Sequence, residues 1–198
     1  MSELRKSILA GMAIGLGCIA FVSVENRYMG AFLFSIGLLT ICGMEWSLFT
    51  GKLCRCRNSV LDMIKIWVGN LVGSVVMAAG YYGACGKMES AAAVITAKLQ
   101  KPPLAAFISG MLCEMCIYIA VIGYREVKSD IGKYLAIILG VMVFILAGFE
   151  HCVADMFYIA ASGHFVHTYG FLFLLLVTAG NITGAFVMNV MDKRRGGE

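Results

Sequence analysis

Charged residues are scarce in this chain of 198 residues: only 14% are Asp, Glu, Lys or Arg, whereas 60% are hydrophobic. The mean hydropathy is +0.85. A soluble domain of this size could not keep a wetted surface with so little charge. The apolar residues fall in long, repeated stretches, so the sequence predicts an all-α protein that crosses a membrane several times.

Other features are also missing, and each absence excludes a class of function. No basic face interleaved with aromatic residues exists, which argues against a nucleic-acid partner. The net charge of +4 instead suits loops that face the anionic leaflet of a lipid bilayer. No cofactor motif is present, so no cofactor is predicted.

The eight cysteines do not indicate a disulfide scaffold or a metal site. Most of them lie within apolar segments and are interpreted as small hydrophobic residues. The pair Cys54-x-Cys56 supplies only two metal ligands, and the pair His164-x-x-His167 has no evident third ligand nearby. The sequence therefore predicts no bound metal.

A helix that spans a bilayer needs about 20 apolar residues. Six segments meet this length: Ile8–Val24, Met29–Gly51, Met63–Tyr82, Leu104–Tyr124, Tyr134–Ala161 and Gly170–Met191. The connection over residues 87–103 is long, and its part Glu89–Gln100 has a helix-forming composition that Pro102-Pro103 ends.

Six spans place both termini on the same side of the membrane. If that side is the cytoplasm, twelve of the 16 Lys and Arg residues lie inside, and only Arg27, Lys87, Lys98 and Lys101 lie outside. This bias predicts a multi-pass protein of the inner (plasma) membrane with both termini cytoplasmic.

The second and fifth spans are interrupted in a similar way. The first half reads Gly43-Met44-Glu45-Trp46-Ser47-Leu48-Phe49-Thr50-Gly51 and the second Gly148-Phe149-Glu150-His151-Cys152-Val153-Ala154-Asp155. A Gly-Asn-x-x-Gly box follows each, at Gly69–Gly73 and Gly180–Gly184. Acidic residues inside apolar segments are costly, and duplicated broken helices are typical of a transport site between repeats.

Three spans in each half is an odd number, so duplicated halves must insert in opposite directions. The sequence thus predicts one transmembrane domain over residues 1–198, built from inverted three-helix repeats of about 1–86 and 104–198. Glu45 and Glu150 are interpreted as equivalent buried carboxylates that accept backbone hydrogen bonds, with a proton relay as the alternative. Asn70 and Asn181 are expected to bond to the backbone.

These motifs resemble the formate/nitrite transporter family, whose members conduct formate, nitrite or hydrosulfide. The similarity covers nearly the whole chain through Leu48-Phe49-Thr50, Gly69-Asn70-Leu71-Val72-Gly73, Gly148-Phe149-Glu150-His151-x-x-Ala154 and Gly180-Asn181-Ile182-x-Gly184. It implies an aquaporin-like fold with helices 2 and 5 broken, assembled as a homopentamer with one pore in each subunit.

The resemblance also implies roles for individual residues. Thr50 and His151 would face each other at the pore centre, and Lys98 would attract anions in the outer vestibule. The constrictions would be formed by six apolar side chains: Phe34 and Phe144 on the outer side, Leu38, Leu48 and Ile117 on the inner side, and Phe49. Two positions depart from the family pattern, because Glu114 and Asp155 each stand where asparagine is usual.

The predicted function is passage of a small monovalent weak-acid anion, with a proton or as the neutral acid. Hydrosulfide and formate are the leading substrates, followed by nitrite. The alternative keeps the fold but conducts a neutral or cationic solute such as water or ammonia, if Glu114 and Asp155 are ionised. A membrane redox enzyme that uses its cysteines is a third hypothesis, which the missing cofactor motif disfavours; the chain is not expected to be an enzyme.

Overall fold

The computed structural model of the protein describes residues 1–55, 58–86, 88–163 and 168–192. The predicted sites at Cys56 and at His164 and His167 lie outside these residues. The described chain forms nine helices and no strand: α1 Glu3–Val22, α2 Arg27–Gly43, α3 Phe49–Leu53, α4 Val60–Cys85, α5 Glu89–Leu99, α6 Pro103–Glu126, α7 Asp130–Ala147, α8 Cys152–Ser162 and α9 Thr168–Met191. The all-α membrane fold is confirmed.

Five of these helices (α1, α4, α6, α7 and α9) are long and apolar enough to cross a bilayer, within the part of the chain that the structure describes. The second predicted span appears as α2 followed by the short α3, and the fifth as α7 followed by α8. Both interruptions predicted from the sequence are therefore real. Whether α2 and α3 together complete a sixth span stays a prediction.

The molecule is apolar outside and partly polar inside. Large hydrophobic side chains such as Val60 (78% exposed) and Ile131 (73%) cover the surface. Asn70, Glu114, Glu150, Asp155 and Asn181 are completely buried. In a bilayer the outer face needs no charge, whereas buried polar groups must bond to one another.

Each half of the chain is built around one close pair of helices. In the first half α1 packs on α4 and α2, and in the second half α6 packs on α9 and α7. Glycines permit the approach: a methyl group added at Gly73 would overlap the backbone of Ile8, and one at Gly184 would overlap the backbone of Met111. The Gly-Asn-x-x-Gly boxes therefore lie at tight helix contacts.

Candidate pore and its charged surroundings

Two asparagines close the gaps in the broken helices. The Asn70 side chain accepts a hydrogen bond from the Phe49 N–H (2.8 Å) and donates to the carbonyls of Ser7 (2.7 Å) and Ser47 (2.9 Å). Because all these groups are far from water, the three bonds remove most of the cost of interrupting a helix there.

Asn181 makes the same three bonds in the second half. It accepts from the Cys152 N–H (3.0 Å) and donates to the carbonyls of Gly110 (2.8 Å) and Glu150 (3.1 Å). Phe49 thus corresponds to Cys152, and Ser47 corresponds to Glu150.

This correspondence corrects the predicted equivalence of Glu45 and Glu150. Counted back from Phe49 and Cys152, Glu45 occupies the position of Gly148, and both have left-handed backbone with φ of 54° and 72°. Glu45 is exposed rather than buried. Aligning the two motifs on their glutamates therefore shifts one half against the other by two residues.

Thr50 and His151 meet at the centre of the molecule. The Thr50 Oγ1 lies 3.0 Å from His151 Nε2, and both residues are buried. His151 is also the N-cap of α8, where its Nδ1 accepts a hydrogen bond from the Ala154 N–H at 3.2 Å.

These two contacts define the hydrogen-bond roles of the ring. A neutral imidazole whose Nδ1 accepts must carry its proton on Nε2. Nε2 therefore donates to the Thr50 hydroxyl, which has no acceptor of its own among the described residues. A hydroxyl that accepts from an N–H group becomes a stronger donor to a third group, so the pair can present one O–H to a solute.

Cavities approach this pair from two sides. The Phe vestibule, of about 240 Å³, is lined by Phe34, Phe144, Lys98 and His151 among others. The rings of Phe34 and Phe144 meet edge to face at 5.9 Å, and Phe144 stacks on the His151 ring at 5.8 Å. Phe144 therefore lies directly beside the imidazole, and Phe34 packs against Phe144.

The second cavity, the basic vestibule, has a volume of about 300 Å³. Leu38 and Leu48 line it, together with the cationic residues Lys6, Lys52, Arg55 and Arg125. Ile117 is buried but lines neither vestibule. Phe49 lines a lateral apolar groove between α4 and α9. Its place in a constriction stays a prediction.

Lys98 does not stand in the Phe vestibule as a free charge. Its Nζ lies 2.5 Å from Glu150 Oε2 and 2.6 Å from Asp155 Oδ1. Burial disfavours its ammonium, but the carboxylates of Asp155 and Glu150 outweigh this effect and raise the pKa of Lys98 above its ordinary value. The predicted anion-attracting lysine is thus already paired.

Lys101 is the residue that the sequence did not single out. Its Nζ contacts Glu150 Oε1 at 2.5 Å and the Gly148 carbonyl at 2.6 Å. Two lysines therefore balance the two buried carboxylates Glu150 and Asp155, and we call these four residues the charge cluster. The additional acid at Asp155 was the signal that a second cation was needed.

The other atypical acid, Glu114, lies apart from both vestibules. Its Oε1 accepts a weak hydrogen bond from the Cys54 thiol at 3.6 Å, and its Oε2 has no partner among the described residues. Cys113 and Cys116 flank it in C-x-x-C spacing, the arrangement that redox enzymes use. Both are free thiols inside the continuous helix α6.

Comparison with known proteins places this arrangement in context. A family model described as formate/nitrite transporter matches residues 2–192. The nitrite transporter NirC of Escherichia coli K12 is 29% identical over 93% of this chain and 80% of its own length. The formate channel FocA of Haemophilus influenzae is 27% identical over 77% of this chain and 63% of its own.

The fold is also similar to that of a solved structure. A pentameric formate channel with formate bound superposes with a TM-score of 0.83 at 24% identity, covering 96% of this chain and 94% of that one.

Proposed function

The chain belongs to the formate/nitrite transporter family, and on that premise we propose that it is a homopentameric channel for a small monovalent weak-acid anion. The observation that carries the proposal is the Thr50–His151 pair, which lies between the two vestibules and beside apolar walls. Relatives named for nitrite and formate put these two anions ahead of hydrosulfide.

The arrangement supports passage of the solute in its neutral form. An unpaired ion between Phe34, Phe144, Leu38 and Leu48 would lose its hydration without compensation, which costs several kcal/mol or more. The Thr50 hydroxyl and the positive N-terminal end of α8 stabilise the charged form of the solute until it reaches the pore centre. Protonation then removes the charge before the solute crosses the apolar wall.

The source of that proton is water rather than the imidazole in this scheme. With Nδ1 accepting from Ala154, the ring is neutral and carries one proton on Nε2, and giving it up would leave an imidazolate. His151 thus orients and polarises the Thr50 hydroxyl. The net movement is one anion with one proton.

Orientation and assembly complete the proposal. The basic vestibule faces the cytoplasm, in agreement with the positive-inside rule, and both termini lie on that side. The two halves are inverted repeats, as the matching bonds of Asn70 and Asn181 suggest. The exposed apolar surface contacts lipid and the neighbouring subunits of the pentamer in the inner membrane.

Flux into proteoliposomes tests this function. We expect uptake of formate or nitrite to rise with an inward proton gradient, and Thr50→Val to lower it about 10-fold, which corresponds to about 1.4 kcal/mol. His151→Asn keeps an N-cap residue but removes the imidazole, and should lower flux similarly. Thr183→Val is the control, because this hydroxyl is exposed and bonds only to its own helix.

Two results would contradict the proposal. One is uptake of formate, nitrite and hydrosulfide that no proton gradient changes. The other is full flux in both central variants. Faster swelling in ammonia or glycerol than in formate would favour a channel for neutral or cationic solutes instead.

A further inference from the structure

The basic vestibule carries more positive charge than a monovalent anion can balance. Lys6, Lys52, Arg55 and Arg125 line it, whereas Glu45 is the one carboxylate among the described residues of its lining. Lys52 has a partner in Glu3 at 3.6 Å, at a site where both side chains are partly exposed. Such a pair is weak.

Two of these cations are available to a ligand. Among the described residues, no carboxylate lies within ion-pair distance of the Lys6 or Arg55 side chain. A neighbouring donor is also unused, since the indole N–H of Trp46, which lines the same cavity, has no acceptor in the described chain. The wall therefore offers cationic and neutral donors and almost no acceptors.

We propose that the basic vestibule binds a tetrahedral oxyanion of charge −2, of the phosphate or sulfate type, which is not transported and which obstructs the channel from this side. Guanidinium groups bind such oxyanions through paired N–H donors. The cavity of about 300 Å³ equals the space of about ten water molecules, so the ion fits with part of its hydration shell.

Retention follows from the wall at the inner end of the cavity. Leu38 and Leu48, both almost fully buried, line the vestibule, and Leu48 precedes Thr50 by two residues in the chain. Formate becomes neutral by gaining one proton, whereas a dianion such as hydrogen phosphate or sulfate needs two. A dianion therefore stays on the basic side, because losing its hydration against leucine is too costly.

The fluorescence of Trp46 measures this binding directly. The chain has only two tryptophans, Trp46 and Trp67, and Trp67 lies between α4 and α9 with its N–H bonded to Thr178. In a Trp67→Phe variant, Trp46 is the only indole. We expect its emission to change saturably with inorganic phosphate or sulfate in phosphatidylcholine nanodiscs, and not with chloride at matched ionic strength.

Matched variants locate the site. Arg55→Gln and Lys6→Gln should each raise the half-saturating phosphate concentration at least threefold. Lys65→Gln removes the same charge from an exposed lysine that pairs with Asp62 and does not line the vestibule, and should leave it unchanged. A linear response that chloride reproduces, or equal effects of all three variants, would overturn the proposal.

The phosphate group could be free or belong to a lipid, so a second titration uses nanodiscs that contain phosphatidylglycerol. A response to free phosphate that this lipid does not prevent identifies the soluble ion. A saturated signal before phosphate is added identifies the lipid headgroup, whose phosphodiester carries one negative charge, and would overturn the assignment of a soluble dianion. No response in either lipid overturns the site.

The inhibitory part of the proposal depends on the proposed channel function, and flux tests it separately. With phosphate enclosed in the compartment that the basic vestibule faces, formate flux should fall at least threefold in the parent protein and less in Arg55→Gln. If no anion is transported but Trp46 responds, the channel function fails and the binding site remains. If transport is normal and the emission of Trp46 does not change with phosphate or sulfate, the oxyanion site alone is wrong.

Discussion

Removing Lys101 is the sharpest test of the charge cluster. The cluster holds two ammonium groups and two carboxylates, and Lys101 Nζ bonds to Glu150 Oε1 at 2.5 Å. In a Lys101→Gln variant, Lys98 must balance both Glu150 and Asp155 alone. One negative charge then remains uncompensated at the end of the Phe vestibule, beside His151.

The size of the effect follows from Coulomb's law. At an effective dielectric constant of about 20, two unit charges separated by about 8 Å interact by about 2 kcal/mol. The Lys101 side chain is 31% exposed, so screening by solvent reduces this figure. We therefore expect about 1 kcal/mol, or roughly a fivefold loss of anion occupancy at the centre.

The assay is initial formate uptake into proteoliposomes against external formate concentration. Lys101→Gln should raise the apparent KM about fivefold, with a smaller change in the maximal rate, and the difference should shrink as salt is added. Asp155→Asn in the same chain removes the excess charge and should restore the KM to within about twofold. Lys101→Arg keeps the charge and should resemble the parent.

Rescue by Asp155→Asn separates an electrostatic role from a structural one. If Lys101 serves only to fix the Gly148 carbonyl, the double variant will be no better than Lys101→Gln. That result, or a KM in Lys101→Gln equal to that of the parent, would refute the idea that the two residues balance each other.

Three further predictions concern packing and the apolar walls. Asn181→Leu leaves one N–H and two carbonyls unpaired in the interior at about 1–3 kcal/mol each, so the variant should lose the single sharp peak of the parent protein in gel filtration. An unchanged peak would contradict the role of the amide. Gly73→Ala forces a methyl group into the backbone of Ile8 and should cost about 1–3 kcal/mol as a lower Tm, whereas Gly83→Ala, with no atom within 4 Å of the new methyl group, should not. Phe34→Ala should admit acetate at least threefold faster in stopped-flow swelling, and a rate equal to that of the parent would show that this ring is not the barrier.

The sequence predicted the helices well because the signals for them are local. Apolar runs bounded by charged loops mark the spans, and glycine next to an acid in an apolar run marks the interruptions. The helix over Glu89–Leu99 was likewise expected from its alanine-rich composition and the prolines that follow it. None of these expectations depends on which residues meet in space.

The contacts inside the site were predicted less completely. Glu45 and Glu150 are the same residue type in similar motifs. The corresponding hydrogen bonds of Asn70 and Asn181 nevertheless show that Ser47, and not Glu45, is the equivalent of Glu150 in the first half. In the sequence Lys101 counts only as one of the cations on the outer side, because nothing local shows that it reaches Glu150 across 49 positions of the chain. Errors of this kind arise when two motifs are aligned by a residue type that they share, although their backbones align in a different register.

The asparagine bonds have a consequence for how the protein is made. Every partner of Asn70 (Ser7, Ser47 and Phe49) precedes it in the chain, and α4 ends at Cys85. The first half can therefore form the hydrogen bonds at its own interrupted helix while it emerges from the ribosome, before any of the second half is synthesised. The second half repeats the process with partners of its own. Contacts between the halves, such as the pairing of Thr50 with His151, must wait until both halves are in the membrane.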